Sequence, residues 1–303
     1  CGLDNILIVD KMRENGKEKN IERKKFIDLI DKQEFINKVR SKPSYYQDIR
    51  TIFHIGACSS TLNLDEEYLK KNNTDYSIEL AKWCIERDTR YIYASSGATY
   101  GDGGQGFIDN INELENLKPL NPYGQSKHDF DLWVKENKLF DRLLGIKFFN
   151  VFGPNEYHKG DMRSVIHKAF PGVRDEGVMK LFKSYKEGYK DGEQKRDFIY
   201  IKDALEVMMF FLERKDIGGL FNLGRGQAET WNAVAEAMFK ALDKPVNIEY
   251  IDMPDELRPR YQYLTEADMS KLQNSGYDKG FTSLEESIKD YVVNYLNKDN
   301  PYY

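Results

Sequence analysis

Tyr123-Gly-Gln-Ser-Lys127 places a phenol and an ammonium four residues apart. Residues at i and i+4 share one face of a helix, and an ammonium there stabilises a phenolate, drawing the tyrosine pKa down from ~10. A phenol tuned in this way exchanges a proton with a substrate hydroxyl as hydride leaves the carbon that bears it. Tyrosine and lysine at this spacing recur on many helices, so the pair alone carries little weight. Ser96 supplies the weight. It closes the run Arg90-Tyr-Ile-Tyr-Ala-Ser-Ser96, at a predicted strand end where its hydroxyl can hold the same substrate oxygen as Tyr123.

The elements that must position these groups follow from the apolar pattern. Short continuous apolar runs at 5–10, 51–56, 90–96 and 144–150 suit strands buried on both faces, as in a parallel sheet. Helical spacing separates them at 66–87 and 123–140, and strand–helix alternation of this kind predicts βαβ units in a doubly wound, Rossmann-type α/β sheet. Each run ends in small or polar residues, at Asp10, Gly56-Ala57, Ser95-Ser96 and Asn150. Ligands of open α/β sheets sit at those carboxyl ends. Residues 1–154 are thus expected to form a dinucleotide-binding domain. Residues 155–303 are expected to form mainly a smaller α/β substrate lobe, with some segments returning to the large domain. In that lobe 155–197, rich in Lys, Gly and Asp, reads as a surface segment closing over a ligand. Helices are expected at 198–213, 230–242 and 283–297, and strands at 220–224 and 246–251.

Composition excludes several classes. A net charge of −5 leaves no basic excess to displace counterions from nucleic-acid phosphates. No apolar run approaches the ~20 residues that span a bilayer, and no export signal opens the chain. Cys1, Cys58 and Cys84 show no paired spacing and no companion histidine cluster, so neither a disulfide framework nor a metal site is expected and a reducing cytoplasm fits.

Motifs along essentially the whole chain then converge. His54-Ile-Gly-Ala-Cys-Ser-Ser60, Tyr93-Ala-Ser-Ser-Gly-Ala-Thr-Tyr-Gly101, Asn121-Pro-Tyr-Gly-Gln-Ser-Lys127, Phe148-Phe-Asn-Val-Phe-Gly-Pro154, His158-Lys-Gly160, Lys195-Arg-Asp-Phe198, Phe221-Asn-Leu-Gly224 and Arg260-Tyr-Gln262 are present. With them the chain resembles the extended short-chain dehydrogenase/reductases, and within them the ADP-glycero-manno-heptose 6-epimerase family. Gly-Ala-Cys-Ser-Ser and His-Lys-Gly are the motifs particular to that family.

The resemblance implies epimerisation at C6 of ADP-heptose, D-glycero to L-glycero, in nucleotide-heptose supply for lipopolysaccharide core. It makes Tyr123 and Lys159 the acid/base groups on opposite faces of C6, with Ser96 assisting and Lys127 holding the nicotinamide ribose. NADP would take hydride from C6 and return it to the other face of the resulting aldehyde. Asn150, His167, Phe182, Lys183, Ser184, Tyr185, Arg196 and Tyr261 would line the ADP-sugar site, Arg196 meeting the pyrophosphate bidentately. Asp161 stands where the family more often has serine. A ring-like homo-oligomer, a pentamer, is implied as well.

The acid that ends such a second strand ordinarily holds a ribose 2′-hydroxyl, which favours NAD. Here Asp10 is followed by Lys11 and Arg13, with Lys17 and Lys32 nearby. Those cations suit a 2′-phosphate, so NADP is expected, with NAD as the alternative. Ile55, Gly56, Ala57, Cys58, Ser59, Asn72, Val151 and Lys159 would complete the cofactor wall. The glycine-rich first turn of the fold is missing before Asp10, and Cys1-Gly2-Leu3-Asp4 reads as the end of an earlier helix, so an N-terminal truncation of roughly twenty residues is expected.

Rival readings are a UDP-hexose 4-epimerase, a 4,6-dehydratase, and a catalytically silent nucleotide-binding subunit. Gly97-Ala-Thr99 follows Ser96 where a dehydratase would carry an acid. A silent subunit has no reason to keep Ser96, Tyr123, Lys127 and Lys159 together. His54, in an apolar strand, reads as a hydrogen-bonded core histidine.

Overall fold

The computed structural model describes residues 3, 5–11, 16–42 and 44–303. Cys1, Gly2 and Asp4 of the expected helix end, and the expected phosphate ligand Arg13, lie outside the described residues. In chain order the first half forms β1 (Leu7–Asp10), β2 (Asp28–Asp31), α1 (Lys32–Ser41), β3 (Thr51–His54), α2 (Glu66–Leu69), α3 (Tyr76–Glu86), β4 (Arg90–Ser96), α4 (Pro122–Glu136), β5 (Leu143–Phe148) and β6 (Asn150–Phe152). The second half forms α5 (Val165–Pro171), β7 (Met179–Phe182), β8 (Lys195–Tyr200), α6 (Ile201–Glu213), β9 (Gly219–Leu223), β10 (Ala228–Thr230), α7 (Trp231–Ala241), β11 (Ile248–Ile251), α8 (Ser270–Asn274) and α9 (Leu284–Tyr291).

Three of the four apolar runs join β9 in a four-stranded parallel sheet in the order β3-β4-β5-β9, while the first run, β1, lies in a separate two-stranded sheet with β2. Ser96 lies opposite Phe148, and Phe148 opposite Leu223, at its carboxyl edge. β4, β5 and β9 are buried nearly throughout, as a parallel sheet covered by helices requires. β1 and β3 differ from the expectation of burial on both faces: every residue of both is only partly buried. β1 pairs in parallel with β2, Asp10 opposite Asp31. The sequence pattern gives no sign of β2, since an acid closes each end of its four residues. Asp31 belongs to the next element, where its Oδ1 accepts from Gln33 N and caps α1.

A second hydrophobic core gathers Phe152, Ile166, Phe170, Val173, Met179, Leu181, Val234, Met238, Ile288 and Val292. It corrects the reading of 155–197 as a surface cover. That stretch contributes α5 and β7, whose apolar side chains are hidden among lysines, glycines and aspartates. The helix expected from Phe198 also starts later. Phe198 and Tyr200 point into the second core while Ile199 points into the first, a period of two that makes these residues a strand between cores. β8 pairs with β6 on one side and β10 on the other, and α6 begins at Ile201.

Candidate functional site

The proton-handling corner is assembled from a strand end and a helix start. Ser96 Oγ accepts from Ala98 N at 3.1 Å and caps the single 3₁₀ turn Gly97–Tyr100. Asn121 caps α4 through Gly124 N at 2.8 Å, with Pro122 in the first turn. Gly124 permits the contact between the two turns, because a Cβ there would stand 2.9 Å from Ala98 O. Tyr123 is thereby set beside Ser96. Desolvation pushes its phenol up, hydrogen bonding from Ser96 pulls it down, and Cys58 pushes it up again. Lys127 corrects the simplest expectation for the pair. Its buried ammonium donates to Ala94 O at 2.9 Å, and the tyrosine pKa lies above its ordinary value rather than below it. Burial draws Lys127 itself down to about 8, against the opposing charge of Asp131.

The segment after β3 forms the adjoining wall. Ile55, Gly56, Ala57 and Ser59 are exposed and Cys58 is partly buried. Asn73, in the π-helical turn Lys70–Asp75, grips that segment. Its Oδ1 accepts from Cys58 N at 2.9 Å, and its Nδ2 donates to Cys58 O at 3.0 Å and Ser126 Oγ at 2.9 Å. Val151 is partly buried on β6. His54 Nδ1 meets Tyr91 OH at 2.6 Å, in keeping with a core histidine.

At the end of β1 the cations cluster. Lys17 Nζ donates to Asp10 Oδ1 at 2.8 Å, an oxygen that also accepts from Lys11 N at 2.6 Å. Lys32 Nζ donates to Asn72 Oδ1 at 2.9 Å. Burial lowers the Lys32 pKa first and the Lys11 charge lowers it next, with Asp31 and Asp10 opposing and Lys17 adding to the fall. Three lysines, Lys11, Lys17 and Lys32, therefore gather around Asp10 and Asp31, and Lys17 pairs directly with Asp10.

The remaining residues occupy the second half and its approaches. Lys159 is exposed in the turn Tyr157–Met162, so the burial expected of a second base is absent. Among the described residues no side-chain bond joins it to Ser96, Tyr123 or Lys127. Its neighbour His158 accepts from Asn20 Nδ2 at 3.0 Å, which ties this turn to the segment carrying Lys17. Asp161 is exposed and its carbonyl accepts from Lys168 Nζ at 3.3 Å. His167 is buried on α5 with neither ring nitrogen hydrogen-bonded among the described residues, and the Tyr157 ring lies edge-on to it at 4.4 Å. Asn150 Oδ1 accepts from Thr265 Oγ1 at 3.4 Å.

Arg196 is the buried cation of this half, and no carboxylate pairs with it among the described residues. Its guanidinium stacks 5.0 Å from the Tyr261 ring and 5.9 Å from Trp231, and donates to Lys195 O at 2.9 Å. Trp231 Nε1 donates to Tyr261 OH at 2.8 Å, which holds the two rings together. Lys183 and Tyr185 converge on Asp252 Oδ1 at 3.1 and 2.7 Å, Ser184 N donates to Asp191 at 2.7 Å, and the partly buried Phe182 precedes them.

The profile of the NAD-dependent epimerase/dehydratase family matches residues 3–224. The ADP-L-glycero-D-manno-heptose-6-epimerase of Nitratidesulfovibrio vulgaris (strain Hildenborough) is 46% identical over 301 residues, covering 99% of this chain and 93% of that protein. The chain belongs to the NAD-dependent epimerase/dehydratase family. A second member of the family, the ADP-L-glycero-D-manno-heptose-6-epimerase of Fusobacterium nucleatum subsp. nucleatum, is 44% identical over 310 residues, with 99% and 93% covered. The crystal structure of the Helicobacter pylori ADP-L-glycero-D-manno-heptose-6-epimerase superposes with a TM-score of 0.72 over 96% of each chain, at 23% identity. That likeness speaks for the shared epimerase/dehydratase fold.

Within this family member, three groups escaped the sequence reading. Asn73 stands one position beyond the chosen Asn72, and only the fold shows which of the two amides turns inward. Asp131 continues the Tyr123–Lys127 face by four more residues, a spacing that was legible. Asp197, next to Arg196, is fully buried and accepts from the backbone N–H groups of Arg225, Gly226 and Ala267 at 2.6, 3.0 and 2.9 Å. No helix among the described residues is long and apolar enough to cross a membrane.

Proposed function

We propose that the chain inverts C6 of ADP-glycero-manno-heptose, D-glycero to L-glycero, with bound NADP, in nucleotide-heptose supply for lipopolysaccharide core. The observation that carries this reading is the gathering of Ser96, Tyr123 and Lys127 at the carboxyl end of the parallel sheet, beside the exposed segment 55–59. The residues fit a nicotinamide dinucleotide. Ile55 leaves an aliphatic side chain 42% exposed at the strand end, and a Cβ on Gly56 would meet nothing within 4 Å. When bound, the nicotinamide supplies reversible removal and return of hydride at the reacting carbon.

The chain's own groups handle the rest. Tyr123, set beside Ser96, takes and returns the proton of the C6 hydroxyl. Lys127 holds positive charge beneath it. Lys159 serves the opposite face, and its exposure means that bound substrate must supply the desolvation a basic amine needs. Lys11, Lys17, Lys32 and Asn72, around Asp10, hold a 2′-phosphate, which supports NADP over NAD. Arg196, over the Tyr261 and Trp231 rings, holds the pyrophosphate, with Asn150, His167, Phe182, Lys183, Ser184 and Tyr185 along the sugar nucleotide. The first hydrophobic core would then belong to a cofactor-binding domain and the second to a substrate lobe. A cytoplasmic homo-oligomer, a pentamer by family resemblance, is the form proposed.

NMR observation of C6 inversion with ADP-heptose, beside C4 inversion with UDP-glucose, tests the reading. Inversion of ADP-heptose alone is expected, with Lys159→Met abolishing it while cofactor stays bound. Turnover of UDP-glucose alone would favour the 4-epimerase reading instead.

A further inference from the structure

Under the proton-handling corner lies an ion pair that touches no proposed ligand. Asp131 extends the face of α4 that carries Tyr123 and Lys127, so the three recur at i, i+4 and i+8. Its Oδ2 meets Lys147 Nζ of β5 at 2.9 Å, with both side chains 0% exposed. The carboxylate also accepts from Ser95 Oγ at 2.7 Å and Tyr93 OH at 3.1 Å. The ammonium also donates to Thr99 Oγ1 at 2.5 Å, and that hydroxyl donates to Ser96 O at 2.8 Å. Ser95 and Thr99 flank Ser96, so the pair grips the strand end on both sides of the proposed catalytic serine.

Stability alone is a poor reason for such a pair, because well-packed apolar residues of similar volume are often as stable or more so. We propose that Asp131 and Lys147 are positioning residues that together fix Ser96, and that the Asp131 carboxylate also keeps the Lys127 ammonium charged while Tyr123 works. The inference rests on the roles given to Ser96, Tyr123 and Lys127 above.

The groups around Lys127 make the electrical part specific. Tyr123 and His128 stand on its own helix, His54 on β3, Cys58 beyond β3, and Lys147 on β5 behind Asp131. Burial draws the Lys127 pKa down, and Asp131 is the charge that raises it. Losing the carboxylate must therefore strip Lys127 of its proton at lower pH.

The test is the pH dependence of kcat/KM for C6 inversion of ADP-heptose, measured on the full chain from about pH 6 to about pH 10. Asp131→Asn is expected to move the alkaline limb about one unit toward acid and to slow the neutral-pH rate about tenfold. Ser95→Ala, which removes one hydrogen bond and keeps the charge, is expected to leave the limb in place. The double variant Asp131→Leu/Lys147→Met restores a well-packed interior without charge and decides the matter if Asp131→Asn does not fold. It leaves the Tyr93 and Ser95 hydroxyls without their acceptor, so it is expected to fold with a lowered melting temperature and to carry the displaced limb. A slower rate with the limb unmoved in both Asp131 variants would mean a structural role only and would overturn the proposal. Full activity of Tyr123→Phe would instead overturn the underlying assignment of roles.

Discussion

Asn73 holds Cys58 by both of its backbone groups, accepting from the N–H at 2.9 Å and donating to the carbonyl at 3.0 Å. The same amide donates to Ser126 Oγ, one residue before Lys127. One side chain thus joins the proposed cofactor wall to the helix of the proposed proton donor. Its amide is almost wholly buried, so truncation strands several polar groups, each costing about 1–3 kcal/mol. Asn73→Ala is expected to lower the melting temperature and to weaken cofactor binding roughly tenfold, about 1.4 kcal/mol. Fluorescence titration and thermal melts check both. Unchanged affinity would show that the segment holds its shape without the clamp.

The lysine corner predicts a change in preference rather than a general loss. Lys17→Ala and Lys32→Ala should each weaken NADP binding about tenfold while leaving NAD binding nearly unchanged, because only the former carries a 2′-phosphate. The NADP advantage should also shrink as salt rises. Equal weakening of both dinucleotides would argue that these lysines serve the fold.

Arg196→Lys keeps a positive charge but loses the planar fork and its stacking on Tyr261 and Trp231. The expected outcome is an increase of about tenfold in the inhibition constant of ADP, with a melting temperature equal to or above the parent. Among the described residues this buried guanidinium has no carboxylate partner to lose. A drop in stability with unchanged ADP affinity would remove Arg196 from the nucleotide site.

His54 carries a pH prediction with a definite sign. Burial first, and the Lys127 charge second, hold its pKa down to about 3 from 6.5. Between those values the unfolded chain binds a proton that the folded chain does not. The stability tied to neutral His54 is therefore complete above about pH 6.5 and falls as pH drops toward about 3. Melting temperatures from about pH 7 to about pH 4.5 should fall more steeply for the parent than for His54→Gln. Parallel curves would place the acid sensitivity elsewhere.

The sequence by itself determined the α/β class, the positions of the central strands and the residue types at their carboxyl ends. Long apolar runs and an i, i+4 pair are local signals, and local signals survive without coordinates. Tyr123, Lys127 and Ser96 were legible for that reason, as was the charge cluster near Asp10. The tertiary structure decided everything that depends on partners distant in the chain. It made Lys195–Tyr200 a strand because two cores compete for alternate side chains, and it drew 165–182 inward where composition suggested a surface. Between Asn72 and Asn73, it selected which amide faces Cys58. It also set the state of the proposed proton groups. The i, i+4 spacing promised a lowered tyrosine, but desolvation outweighs the hydrogen bond from Ser96, while Lys127 spends its proton on Ala94 and its charge on Asp131. Spacing brings two side chains to one face. Only packing around that face decides how much water remains, and hence which protonation state is favoured.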